Sequence, residues 1–148
     1  MSESRWMEVA QRSPEALPRV VVAEDDEALA IVIQGKLARS GYRVHVERDG
    51  AAAWTAIQAE QPDLVVLDWM MPELDGLTLL AMMRDNAVTK NIPVIMLTAM
   101  AQPEDVKTAI ATGANDYLIK PFKPEDLANR AGRLVKTTRP APRVAPGA

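Results

Sequence analysis

The sequence predicts a three-layer α/β domain, in which helices cover both faces of a parallel sheet. Two observations predict it. Strand-like and helix-like stretches alternate five times between Arg19 and about Thr137. Several of the strand-like stretches are apolar at every position, as strands buried on both faces must be.

Val20-Val21-Val22-Ala23 reads as the first strand, stopped by the polar turn Glu24-Asp25-Asp26. A helix follows from about Glu27, with Leu29, Val32, Ile33 and Leu37 expected inward and Gly41 closing it. Tyr42, Val44 and Val46 then alternate with Arg43, His45 and Glu47, the pattern of a strand with one wetter face. The alanine-rich stretch Gly50 to Glu60 is helical and is ended by Pro62. Leu64-Val65-Val66-Leu67 is the third strand and runs straight into Asp68. Past a loop with Pro72 and Gly76, Leu77, Leu80 and Met83 mark a helix. Pro93 to Leu97 is the fourth strand, ending at Thr98. Pro103 opens the next helix, where a missing N–H does little harm. Its expected inward residues are Val106 and Ile110, and Gly113 suits its left-handed cap. Tyr117-Leu118-Ile119 is the fifth strand, ending at Lys120, and Pro124 opens a last helix with Leu127, Leu134 and Val135.

The ends read differently. Residues 1–18 form an N-terminal extension with a short helix expected around Trp6, and residues 138–148, with three prolines, form a flexible tail. The expected domain is 19–137.

Composition narrows the function. No cysteine is present, which excludes disulfides, thiolate metal sites and cysteine nucleophiles and suits a reducing compartment. A net charge of −3 argues against whole-surface attraction to nucleic acid, although every charged residue after Asp126 is basic. No apolar run is long enough to span a bilayer, and Arg5, Glu8 and Arg12 interrupt the start as no signal peptide would. A soluble, cytoplasmic protein with no membrane contact is expected.

In open α/β sheets, ligands bind beyond the carboxyl ends of the strands. Strand one ends in Glu24-Asp25-Asp26, strand three in Asp68, strand four in Thr98 and strand five in Lys120. Parallel strands would bring these side chains to one edge. Clustered carboxylates repel unless a cation lies among them, and an all-oxygen set without cysteine or nearby histidine points to Mg²⁺. Asp68 would then serve as a carboxylate nucleophile toward a phosphoryl group, with Lys120 supplying charge and Thr98 a hydroxyl. Taken singly, a strand-end aspartate is more often a helix cap and a Lys-Pro more often a turn. Four strand ends carrying acid, acid, hydroxyl and lysine in order are not explained by capping.

The segments Val21-Val22-Ala23-Glu24-Asp25-Asp26, Leu67-Asp68-Trp69-Met70-Met71-Pro72, Leu74-Asp75-Gly76, Met96-Leu97-Thr98-Ala99 and Tyr117-Leu118-Ile119-Lys120-Pro121-Phe122 resemble the response-regulator receivers of two-component signalling. The likeness runs from Arg19 to about Lys136. It implies a doubly wound, flavodoxin-like sheet of order 2-1-3-4-5. It also implies Asp68 as phosphoacceptor and Glu24, Asp25, Asp68 and the Met70 backbone carbonyl as Mg²⁺ ligands. Asp26 resembles a helix-start residue, although three successive acids leave a one-place slip open. Thr98 and Tyr117 resemble a switch pair, Ala99 the small residue beside the phosphate, and Lys120-Pro121 a cis peptide. Met70 and Met100 stand where receivers vary, and apolar side chains there would slow water attack.

The implied partners are a histidine kinase or histidine phosphotransfer protein and an unknown downstream protein. The downstream partner would meet the face built by the fourth helix, fifth strand and fifth helix, and a phosphorylation-dependent homodimer is a further expectation. No direct nucleic-acid contact is expected, because no recognition-helix module is present. Such a chain is a switch rather than a turnover enzyme, apart from Mg²⁺-dependent phosphorylation and dephosphorylation of Asp68. The alternative is the receiver portion of a larger DNA-binding or enzymatic regulator. A phosphatase of the haloacid-dehalogenase type fits less well, since it needs an aspartate where Met70 stands. His45, the only histidine, is expected on the surface, and Trp69 next to Asp68 is a natural fluorescent reporter.

Overall fold

Every apolar run expected as a strand pairs into one five-stranded parallel sheet of order β2-β1-β3-β4-β5. The strands are β1 (Arg19–Ala23), β2 (Arg43–Glu47), β3 (Leu64–Asp68), β4 (Val94–Thr98) and β5 (Asp116–Ile119). They alternate with α1 (Glu27–Arg39), α2 (Gly50–Glu60), α3 (Gly76–Arg84), α4 (Pro103–Thr112) and α5 (Pro124–Thr137). This is a computed structural model, and it describes residues 17–137. The expected tail and all but the last two residues of the expected extension, with its helix around Trp6, lie outside the described residues. Among the described residues no helix is long and apolar enough to cross a membrane.

β2 lies on one side of β1 and β3 on the other, so right-handed crossovers put their helices on opposite faces. The two cores follow this division. Val20, Val22, Leu64, Val66, Ile95 and Leu97 pack with Ile33 and Leu37 of α1 and Leu127 and Ala131 of α5. Val21, Val65, Leu67 and Met96 pack with α2, α3 and α4 on the other face. Each fully buried aliphatic side chain contributes about 1.5–3 kcal/mol relative to exposure. The two-sided burial explains why β1, β3 and β4 are apolar without alternation.

Aspartates start three of the helices. Asp26, Asp49 and Asp75 accept hydrogen bonds from the backbone N–H of Leu29, Ala52 and Thr78, satisfying donors that the first turn leaves free. Pro103 opens α4, which Gly113 ends at φ +123°. Gly41 follows α1 at φ +101°. Helix α2 stops at Gln61, which is left-handed (φ +47°), one residue before the expected breaker Pro62.

Two helix faces differ from expectation. On α1 the buried residues are Ala30, Ile33 and Leu37, while Val32 is 47% exposed. On α4 only Ala109 is buried and Ile110 is 48% exposed. In both cases neighbouring aliphatic residues competed for the inward position. The one aligned with the rest of the buried stripe took it.

At the end of the sheet away from the strand carboxyl termini, Arg84 gathers main-chain oxygens. Its guanidinium donates to the carbonyls of Gly113 (2.9 Å), Ile92 (2.8 Å) and Lys90 (3.1 Å) and to Asn115 Oδ1 (3.1 Å). Burial lowers its pKa. A Cβ on Gly113 would lie 2.7 Å from Arg84 Nε, so glycine is required there for contact as well as for backbone angle.

Candidate functional site

The strand order reverses between β1 and β3, so the loops that follow them diverge and leave a crevice at their carboxyl ends. Glu24, Asp25 and Asp68 meet there, each offering a carboxylate oxygen within 4.8 Å of the others. Asp26 is turned to another task, capping α1. Glu24 is fully buried and Asp68 is 3% exposed, whereas Asp25 is open to solvent.

Main-chain hydrogen bonds hold these residues in place. Glu24 N–H donates to Glu47 O (3.0 Å), and Asp26 N–H donates to Glu24 Oε2 (3.1 Å). Past the ends of the strands the parallel ladder continues, with Trp69 N–H on Leu97 O (2.9 Å) and Lys120 N–H on Thr98 O (2.8 Å). The β3–α3 loop returns tightly on Asp68. Gly76 N–H donates to Trp69 O (2.8 Å), and a Cβ on Gly76 would lie 2.2 Å from Asp68 O. Glu73 in this loop is left-handed, at φ +67°.

Lys120 Nζ lies 2.8 Å from Glu24 Oε1 and 3.2 Å from Asp68 Oδ2. Asp68 Oδ1 accepts from Met70 N–H (3.2 Å). Burial, reinforced by Glu24, pushes the Asp68 carboxyl up to about 7 against the opposing pull of Lys120. Burial would lower the Lys120 pKa, but its contacts with Glu24 and Asp68 raise it. Lys120 precedes a cis peptide bond to Pro121, as expected.

These observations test whether a divalent cation fits. With all three carboxyls ionised, one ammonium leaves two negative charges uncompensated. Glu24 Oε1 is buried and is met by the Lys120 ammonium at 2.8 Å, with no further donor among the described residues. The donors are hard oxygens, as Mg²⁺ requires. The residues fit the ion.

Thr98 is fully buried at the end of β4, where its Oγ1 accepts from Met100 N–H (3.1 Å). Tyr117 donates its hydroxyl to Met100 O (2.5 Å) and meets Trp69 edge-to-face at 6.5 Å. Burial, then Asp105, raises its pKa. Ala99 and Met70 are exposed beside the crevice, Met70 by 63%.

The family model for the response regulator receiver domain matches residues 20–132. The chain belongs to that family. The receiver is 36% identical over 124 residues to the phosphate regulon transcriptional regulatory protein PhoB of Rhizobium meliloti, covering 84% of this chain and 55% of that one. It thus spans about half the length of the curated relatives it matches. A solved receiver domain of a Francisella response regulator superposes with a TM-score of 0.78 at 38% identity, covering 82% of this chain and 99% of that one. The receiver domain of a sensor histidine kinase from Pseudomonas aeruginosa PAO1, solved with a magnesium ion in its active-site cleft, gives 0.75 at 31% identity, covering 82% and 99%.

The receiver's five-stranded order and the gathering of Glu24, Asp25, Asp68 and Lys120 agree with the sequence reading. Arg48 was not anticipated. It lies just past β2, whose carboxyl end reaches the same edge, and its Nη2 donates to Asp25 O (2.5 Å). The strand-end rule, extended to β2, is the signal that points to it. His45 lies at the surface, partly covered by its neighbours. Its ring nitrogens face Glu47 (2.7 Å) and Glu60.

Proposed function

We propose that Asp68 accepts a phosphoryl group from a phosphohistidine of a kinase or phosphotransfer partner, and that the acyl phosphate switches a protein-binding face. The observation that carries this reading is the near-contact of a buried, charge-crowded Asp68 with Lys120 and two further carboxylates. A carboxylate oxygen of Asp68 bonds to phosphorus as the P–N bond breaks, and the imidazole leaves with the bonding pair. Lys120 offsets charge on the phosphoryl oxygens, and Thr98 supplies a hydroxyl donor once its Oγ1 turns to them. Glu24, Asp25, Asp68 and the Met70 carbonyl would hold Mg²⁺, which when bound compensates the charge of the transferring group.

On the output side, Thr98 and Tyr117 form the switch pair of this reading, because both engage Met100 at the start of the β4–α4 connection. Their rearrangement shifts the population of the α4–β5–α5 face toward its partner-binding form. Exposed Ile110 and Ile119 give that face apolar contact points for a downstream protein or a second copy. A cytoplasmic location and turnover limited to Asp68 itself belong to the same reading.

A second reading is favoured by the half-length match: this is the receiver portion of a longer regulator. RpaA of Synechocystis, 36% identical over 129 residues, is named a DNA-binding dual master transcriptional regulator. On that reading, DNA contact would belong to an effector beyond the receiver, and the receiver would act by pairing.

Incubation with acetyl phosphate and Mg²⁺ should add one phosphoryl mass to the wild type and none to Asp68→Asn. Equal labelling of the two proteins would refute Asp68 as acceptor. Size-exclusion chromatography with and without beryllofluoride separates a dimerising receiver from a monomeric adaptor.

A further inference from the structure

The acidic segment Glu24-Asp25 is held by two bonds of different kinds, from the last residue of β2 and from the residue after it. One is the main-chain bond from Glu24 N–H to Glu47 O (3.0 Å). The other is the bond from Arg48 Nη2 to Asp25 O (2.5 Å). Arg48 therefore reaches across the turn to hold the residue whose carboxylate is the exposed member of the acidic trio. The next two residues secure this turn. Asp49 caps α2 through Ala52 N–H (2.8 Å). Gly50 lies so close to the β3–α3 loop that an added Cβ would be 2.0 Å from Leu74 O. The β2–α2 turn thus touches both loops that border the crevice: the one bearing Asp25 through Arg48, the one following Asp68 through Gly50.

We infer that Arg48 is a positioning residue for the cation site: by holding the Asp25 carbonyl it sets the β1–α1 turn in its ligand-presenting form. This rests on the Mg²⁺-binding reading above. Groups that orient metal ligands commonly change affinity by about 10–100-fold when removed. The carbonyl of an exposed turn residue has water as its alternative partner, so the low end of that range is expected here.

The sign of the effect separates positioning from simple electrostatics. Arg48 is a cation beside a site for a dication, so Coulomb repulsion alone would make its removal tighten Mg²⁺ binding. Loss of positioning makes the same removal weaken it. The two accounts predict opposite changes from one substitution.

The test is a Mg²⁺ titration of the full chain followed by Trp69 fluorescence, with amide hydrogen exchange of Asp26 and Glu27 in metal-free protein. Arg48→Ala should weaken binding about tenfold and speed exchange of those amides. Arg48→Lys, which keeps the charge and a donor, should recover most of the affinity. The exposed position of Arg48 leaves the cores intact, and an unchanged urea midpoint checks this. If Arg48→Ala binds Mg²⁺ as tightly as the wild type or more tightly, the inference falls while the receiver reading stands. If the wild type itself gives no Mg²⁺ response, the cation reading fails, and this inference with it.

Discussion

Replacing Asp68 by Asn should make the metal-free protein more stable, even though it removes the proposed acceptor. The carboxyl titrates near 7 in the folded protein against an ordinary 3.8, chiefly because it is buried and secondarily because Glu24 crowds it. A group with a raised folded pKa adds no penalty while it is protonated in both states. The penalty grows as the unfolded chain ionises above 3.8, and it is complete once pH passes the folded value near 7. At about 1.36 kcal/mol per pH unit, the interval corresponds to about 4 kcal/mol, an upper bound that counterions reduce. Asn has nearly the same shape and carries no charge. It leaves Lys120 its 2.8 Å contact with Glu24. Urea denaturation in a chelating buffer should therefore show Asp68→Asn more stable by about 2–4 kcal/mol at pH 8. The gap should close toward pH 4. Mg²⁺ at ten times its Kd should raise wild-type stability by about 1.4 kcal/mol, and the variant's by less. An Asn variant equal to or weaker than the wild type at pH 8 without metal would refute the assignment of strain to Asp68.

Two further substitutions probe other parts of the fold. Burial alone would lower the His45 pKa, but the hydrogen bond to Glu47 and the Glu60 carboxylate leave it raised. Its contribution is therefore full below pH 6.5 and is lost as pH climbs through the raised folded value. The stability of wild type relative to His45→Gln should fall between pH 6 and 8, and an NMR titration placing His45 at or below 6.5 would contradict this. Gly76→Ala forces a Cβ to within 2.2 Å of Asp68 O unless the loop moves, so it should cost about 1–3 kcal/mol in urea denaturation. It should also weaken Mg²⁺ binding, and an unchanged titration would mean that the loop adjusts away from Asp68.

Much of the candidate site was legible because strand direction turns a one-dimensional pattern into one edge. Glu24, Asp25, Asp68, Thr98 and Lys120 each end an apolar run, and parallel pairing does the rest. The helix faces were less legible. Val32 and Ile33 are both aliphatic and differ by about 100° around the helix, so only the packed partner decides which turns inward. Ala109 took the buried place on α4 although Ile110 is the larger apolar residue. Arg84 gave no pattern at all, because most of its partners are main-chain oxygens, which every residue supplies. Only folding selects which of those oxygens comes within reach.

The Arg84 cluster also has a mechanical consequence. It fastens the Gly113 end of α4, while the other end of that helix begins near Met100, where Thr98 and Tyr117 bind the backbone. Helix α4 is about 15 Å long at 1.5 Å per residue. A tilt of about ten degrees about Gly113 would carry its Pro103 end about 2.5 Å. A small displacement at the Thr98–Met100 contact would thus reach the outer face as a rotation rather than a slide.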